Sequence, residues 1–150
     1  MTDASPDTAC ACPTPHVIIA GFGIVGRAVA EALEARGLPY CVVELNPQTV
    51  TRVARTRVSI IEGDVREPDT LMRAGIESAT LVALALPDER DTLSALQVAR
   101  RLNPSVKIVA RCVFTSAGMQ AQRLGADAVV VAEQVVAREF AKVLEEMLPG

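Results

Sequence analysis

Six short runs of mostly β-branched and apolar residues recur along the chain: HVIIAGF, YCVVEL, VSIIEGD, TLVALAL, VKIVARC and DAVVV. Each is followed by a segment whose apolar residues fall three and four apart, beginning with IVGRAVAEALEARG and ending with AEQVVAREFAKVLEEML. A short apolar run bounded by turn residues reads as a strand, and the spacing between runs reads as helix. Gly37 and Gly75 close helices, Asn46 and Pro47 open one, and Thr115 or Ser116 is expected to cap another. Strands and helices alternating through short connections predict an α/β fold, a doubly wound parallel six-stranded sheet with helices on both faces. Residues 16–148 contain no repeat and no linker, so they are expected to form one domain. Residues 1–15, MTDASPDTACACPTP, are small, polar and aperiodic, and are expected to be a disordered leader without signal-peptide character.

Half of the residues are hydrophobic, yet no apolar run approaches the roughly eighteen residues of a membrane span. That combination fits strands buried on both faces. The net charge is −3, and three Phe, one Tyr and no Trp give neither a basic stripe nor a stacking platform, so no nucleic acid is expected as partner. The cysteines are Cys10, Cys12, Cys41 and Cys112; the C-A-C spacing does not suit zinc and there is a single His, so no metal site is expected. The thiols are expected to be reduced and the chain cytoplasmic.

Between the first strand and first helix lies AGFGIVG, residues 20–26. A G-x-G-x-x-G turn is weak evidence alone, but here it follows a strand and opens a helix. Gly21 allows the sharp turn, Gly23 lets backbone approach a pyrophosphate, and Gly26 permits close packing of the helix. The helix N-terminus offers N–H groups and partial positive charge to a phosphate. Glu44 ends the second strand eighteen residues after Gly26, where a carboxylate can accept both ribose hydroxyls of an adenosine. It would repel a 2′-phosphate and no Arg directly follows it, which favours NAD or an adenine nucleotide over NADP. Asp64 and Val65, at the end of the third strand, are expected near the adenine. Arg111 faces phosphate or the second half of a dinucleotide, or else forms an ion pair with Asp64 or Glu133. Glu133 starts the last helix, where a carboxylate is favoured by the helix dipole alone.

A dehydrogenase needs an acid or base beside its cofactor. His16 and Tyr40 both begin strands, at the end of the sheet opposite the glycine turn, and His16 is expected at the surface. A Tyr-x-x-x-Lys pair is absent, because Glu44 stands four residues after Tyr40, and Lys107 and Lys142 are the only lysines. Cys112, Thr115 and Ser116 lie near the correct edge without a base beside them in sequence. No catalytic residue is expected; a small NAD-dependent oxidoreductase, or a fragment of one, is the alternative reading, followed by an interaction module that binds no nucleotide.

HVIIAGFGIVGRAVAEAL, VVELNP, IEGDVREPDTLMRAGIESATLVALALPDE, NPSVKIVARC and LGADAVVVAEQVVAREFAKVL together resemble the TrkA-N domain, also called the N-terminal RCK domain. GDVREPDTLMRAGI is the most specific of these, and the ending is most similar to the cytosolic domain of Kef-type cation:proton antiporters. The resemblance implies a Rossmann-like regulatory domain for potassium or monovalent cation transport that binds NAD(H), AMP or ADP and has no chemistry of its own. Gly21, Gly23 and Gly26 would hold phosphates, with Phe22, Ile24 and Val25 in the same turn. Glu44 would take the ribose and Asp64 with Val65 would flank the adenine, with Leu45, Asn46, Gly63 and Leu86 also expected to bind the cofactor. Arg111 corresponds to a basic ligand-contacting position, and Glu133 to a carboxylate at the phosphate and metal end of ATP-gated members. Those members often carry Arg where this chain has Ile24, so ATP is a weaker expectation than AMP, ADP or NAD(H). With no membrane segment and no second RCK subdomain in the sequence, the expected arrangement is a free-standing cytoplasmic subunit, or one held at the inner face of the membrane by a separate transporter or channel chain.

In the last helix Val136, Phe140, Val143, Leu144 and Met147 form an apolar stripe opposite Arg138, Glu139, Lys142 and Glu145. The stripe either covers the sixth strand or packs on a second subunit. A homodimer is the expectation, because the domains this chain resembles are dimeric and the stripe continues toward the terminus.

Overall fold

The computed structural model describes residues 16–150; the expected leader with Cys10 and Cys12 lies outside them. The elements are β1 (His16–Ala20), α1 (Ile24–Glu34), β2 (Tyr40–Glu44), α2 (Pro47–Val53), β3 (Ile60–Glu62) and α3 (Pro68–Arg73), followed by β4 (Ala79–Leu84), α4 (Glu89–Leu102), β5 (Lys107–Cys112), α5 (Thr115–Arg123), β6 (Ala128–Val131) and α6 (Ala132–Met147). All strand pairs are parallel, in the order β3-β2-β1-β4-β5-β6. This is the Rossmann-like α/β architecture that the alternation predicts. The chain starts at the centre, winds to one edge, returns across β1 and winds to the other. That reversal leaves a crevice beyond the carboxyl ends of β1 and β4, where doubly wound sheets bind ligands.

The two faces of the sheet are covered unequally. On one, α3, α4 and α5 bury the larger core, with Ile18, Leu71, Ile76, Val82, Leu84, Leu96 and Ile108 essentially inaccessible. On the other, α1 and α2 bury a smaller cluster around Val17, Ile19, Ala30 and Val42. Beyond α1 that second face stays open over β4, β5 and β6. An apolar groove of about 340 Å³ runs there, lined by Val25, Val29, Ala83, Val109, Val130, Val135 and Val136, with Arg111 at its end. None of the sixteen residues of α6 is buried. Phe140 is 71% exposed and Met147 77%, so the stripe does not cover β6 in the way one of the two sequence readings allowed.

Several local expectations need correction. His16 is not at the surface: it is 3% exposed, because the α3–β4 connection closes over its ring. Its Nε2–H donates to the Ala74 carbonyl at 2.8 Å, and a Cβ on Gly75 would meet the imidazole at 2.9 Å. Neither Thr115 nor Ser116 caps α5. Phe114 occupies the N-cap, and carboxylates from α4 and α6 satisfy the free N–H groups instead. The third strand stops at Glu62, because Gly63 and Asp64 already turn toward α3. Asn46 does cap α2, its Oδ1 accepting Gln48 N–H at 2.9 Å, with Pro47 in the first turn.

Candidate functional site

The glycine turn joins β1 to α1 at the carboxyl edge of the sheet. Gly21 has φ +91°, a conformation that penalises any Cβ, and such a Cβ would meet the Ala85 carbonyl oxygen at 2.9 Å. A Cβ on Gly26 would come within 2.0 Å of the Gly21 carbonyl oxygen, so this glycine lets α1 fold back against its own turn. Gly23 differs from both. A Cβ there would meet nothing within 4 Å, so its small size is not demanded by packing and leaves open space at the helix start.

That helix start is electrostatically unanswered from within the protein. Gly23 is the N-cap of α1, no side chain caps it, and its first turn holds no acidic residue. Neighbouring helices at this edge are treated otherwise. Asp88 accepts Arg90 N–H (2.8 Å) at the start of α4. Glu133 Oε1 accepts Thr115 N–H (2.9 Å) and its hydroxyl (2.7 Å) at the start of α5. Free N–H groups and the positive end of the α1 dipole therefore point into the cleft, the arrangement that binds phosphate.

Glu44, at the end of β2, accepts Phe22 N–H at 2.9 Å through Oε2 and Asn46 N–H at 3.0 Å through Oε1. Its carboxylate is thus fixed beside the turn. The cleft around it measures about 660 Å³ and is lined by Gly21, Phe22, Gly23, Ile24, Val25, Glu44, Asn46, Leu86 and Arg111 from the expected set. A side slot of about 50 Å³ adjoins it between Leu45, Gly63, Asp64, Val65 and Leu86. Gly26 lies buried beneath the turn. Glu133 stands apart: it lines neither space, and its hydrogen bonds to Thr115 hold its carboxyl below the ordinary range.

Arg111 forms no ion pair with Asp64 or Glu133. Its guanidinium Nη1 donates to the Leu86 carbonyl at 2.9 Å, which holds the loop after β4 in place. Asp64 pairs instead with Arg66, at 2.7 Å, and the guanidinium pulls its carboxyl below the ordinary value. Arg66 also reaches Asp91 on α4 at 3.0 Å, so a two-carboxylate clasp rims the side slot. Arg27, Thr49, Arg52, Ala85 and Pro87 complete the main cleft, and the two arginines were not expected. Arg27 directly follows the last glycine, and Arg52 sits six residues after the α2 cap, so helical phase was the available signal.

His16 and Tyr40 belong elsewhere. The His16 ring is committed to Ala74, and Tyr40 donates its hydroxyl to Glu34. Among the described residues no three His, Cys, Asp or Glu side chains gather as a metal site, and no helix is long and apolar enough to cross a membrane.

Known proteins place this geometry in a family. A putative K(+) efflux antiporter KefB of Alkalimonas amylolytica is 31% identical over 115 residues, covering 77% of this chain and 17% of its own length. The chain thus spans about a sixth of that relative. The crystal structure of the TrkA-N domain of the Escherichia coli inner membrane protein YbaL superposes with a TM-score of 0.83 at 26% identity, covering 88% of this chain and 98% of that one. The Kef C-terminal domain of Shewanella denitrificans, solved in an AMP-bound form, gives a TM-score of 0.74 at 25% identity over 89% of this chain and 82% of that one. The TrkA-N domain family itself matches residues 17–132, and so the chain belongs to that family of regulatory nucleotide-binding domains of potassium channels and antiporters, which is not a catalytic family.

Proposed function

We propose that this chain senses an adenine nucleotide, NAD(H), AMP or ADP, in the glycine-turn cleft and passes the occupancy of that cleft to a membrane cation transporter or channel. The observation that carries the reading is the start of α1. It is uncapped and free of acidic side chains, opens at Gly23, and lies beside a carboxylate fixed at the end of β2. Phosphate meets the helix N-terminus, ribose hydroxyls meet Glu44, and adenine enters the side slot beside Asp64 and Val65. The cleft offers Ile24, 90% exposed and uncharged, where a third phosphate would want a cation, so ATP binds less well than AMP or ADP. Arg111 steadies the loop that carries Leu86 and presents its remaining N–H groups to the phosphates.

The open groove and the exposed stripe of α6 support a homodimer in which the helix of each copy covers the other's groove. Val25, Ala85 and Arg111 line both groove and cleft, so nucleotide and partner share a wall. The domain works on the cytoplasmic side of the membrane, reaching it through its transporter or channel.

Isothermal titration with NAD⁺, NADH, AMP, ADP and ATP, while absorbance at 340 nm follows NADH, tests the reading. Binding of at least one of the first four, weaker ATP binding and an unchanged NADH signal are expected. No binding by any of them removes the sensing function, and steady loss of NADH makes the protein an oxidoreductase.

A further inference from the structure

The cleft is lined by three arginines against a single carboxylate, Glu44. Besides Arg111, two arginines line it, Arg27 from α1 and Arg52 from α2. Both also line a second groove, of about 340 Å³ between α1 and α2, so they stand where the two spaces meet. Neither forms an ion pair among the described residues. The Arg27 guanidinium lies 5.9 Å from the centre of the Phe22 ring. Glu31 and Glu34 line the outer groove but not the cleft.

Adenosine bound over the end of β2 would bring its ribose hydroxyls to Glu44, in the cleft that Arg27 and Arg52 also line. A bare ribose hydroxyl needs only the carboxylate. A phosphate ester on that hydroxyl needs cations, and guanidinium is the side chain best shaped to hold one. Glu44 opposes such a phosphate, but both of its oxygens are tied down by the Phe22 and Asn46 backbone N–H groups, close against the turn. Beyond it the cleft wall is made of Arg27, Arg52 and the neutral Asn46 and Thr49.

We propose that Arg27 and Arg52 form a second phosphate subsite, so that this domain accepts adenine nucleotides carrying a phosphate monoester on the ribose 2′ or 3′ oxygen. The NADP(H) class and 3′-phosphoadenosine nucleotides belong to this chemistry. The inference rests on the reading that adenosine occupies this cleft, and it revises the expectation, drawn from Glu44 alone, that a 2′-phosphate is refused.

Titration of the full chain with NAD⁺ and NADP⁺, and with AMP, 2′,5′-ADP and 3′,5′-ADP, tests it. NADP⁺ is expected to bind within about threefold of NAD⁺ or more tightly. Arg52→Ala and Arg27→Ala should each weaken NADP⁺ about tenfold more than they weaken NAD⁺, with Arg52→Lys intermediate. Both side chains are exposed, so thermal melts of the variants should match the parent. Whichever bisphosphate shows the same arginine dependence identifies the ribose position. NAD⁺ binding with NADP⁺ about a hundredfold weaker overturns the subsite, as does equal weakening of both by the arginine variants; either leaves nucleotide sensing intact. Failure of every nucleotide to bind overturns the sensing reading and the subsite with it.

Discussion

The two faces of one sheet have different fates. Under α3, α4 and α5, the side chains of Leu71, Ile76, Leu84, Leu96 and Ile108 are sealed from water. On the opposite face α1 and α2 stop short, and Ala83, Val109 and Val130 floor an open groove. The strands are apolar on both sides, so the difference does not come from strand composition. It comes from α6, which leaves the sheet with its apolar stripe unburied rather than lying across the groove. One face closes the larger core, and the other leaves an apolar groove and the stripe of α6 open. The glycine-turn cleft lies at the seam, and Val25, Ala85 and Arg111 belong to both cleft and groove.

The largest test of this contrast is a pair of truncations. Leu96→Ala, in the closed face, should lower unfolding free energy by about 2–5 kcal/mol, from lost transfer energy plus a cavity. Val25→Ala, on a residue already 41% exposed, should change it by under about 1 kcal/mol in the monomer. Urea denaturation of both variants decides it; equal losses would mean the second face is as well packed as the first.

Next in size is the cleft itself. Glu44→Ala should weaken adenosine nucleotides by about 1.5–3 kcal/mol, the usual loss of a charged hydrogen-bond acceptor, by titration calorimetry. Gly23→Val should abolish binding and leave the melt intact, since no protein atom opposes a Cβ there. If Gly23→Val still binds nucleotide, the turn is not the site.

Smaller in folding energy is Phe140→Asp on α6. Monomer stability should stay within about 0.5 kcal/mol, because the residue is 71% exposed within its own chain. The change should nevertheless turn a sedimenting dimer into monomer. A parent chain that is already monomeric at high concentration would leave the open face without its proposed partner.

The smallest effect is acid sensitivity. Asp127 accepts the Ile108 N–H at 2.8 Å and pairs with Arg100 at 3.1 Å, and these hold its carboxyl below the ordinary 3.8. A depressed folded-state value means that the stabilisation is complete above the ordinary carboxylate range and is lost as pH falls below it. Asp127→Asn should therefore flatten the decline in melting temperature below about pH 4 and leave its slope near neutrality unchanged. An identical acid limb in both proteins would assign that stability to other carboxylates.

Much of this was legible in the residues. The β-branched runs gave the strands, the glycines gave the turn, and Glu44 stands where its spacing from Gly26 put it. What escaped depended on contacts between distant segments. His16 reads as a strand-end residue until Gly75, far along the chain, folds over it. The start of α5 contains Thr115 and Ser116, yet Glu89 and Glu133 do the capping from other helices, so no local pattern could reveal it. Arg27 and Arg52 belong to different helices, and only tertiary packing brings them to one cleft. The open groove was hidden because Val109 and Val130 look in sequence like any buried strand residues.

The most direct measurement is a titration of the ¹⁵N-labelled protein with AMP and with NAD⁺, followed amide by amide. The largest shifts are expected at Gly21–Gly26, Glu44–Asn46 and Gly63–Val65, with the closed face and the part of α4 beyond its first turn unmoved. Shifts confined to other parts of the chain, or none at saturating nucleotide, would contradict a nucleotide sensor built on the glycine turn.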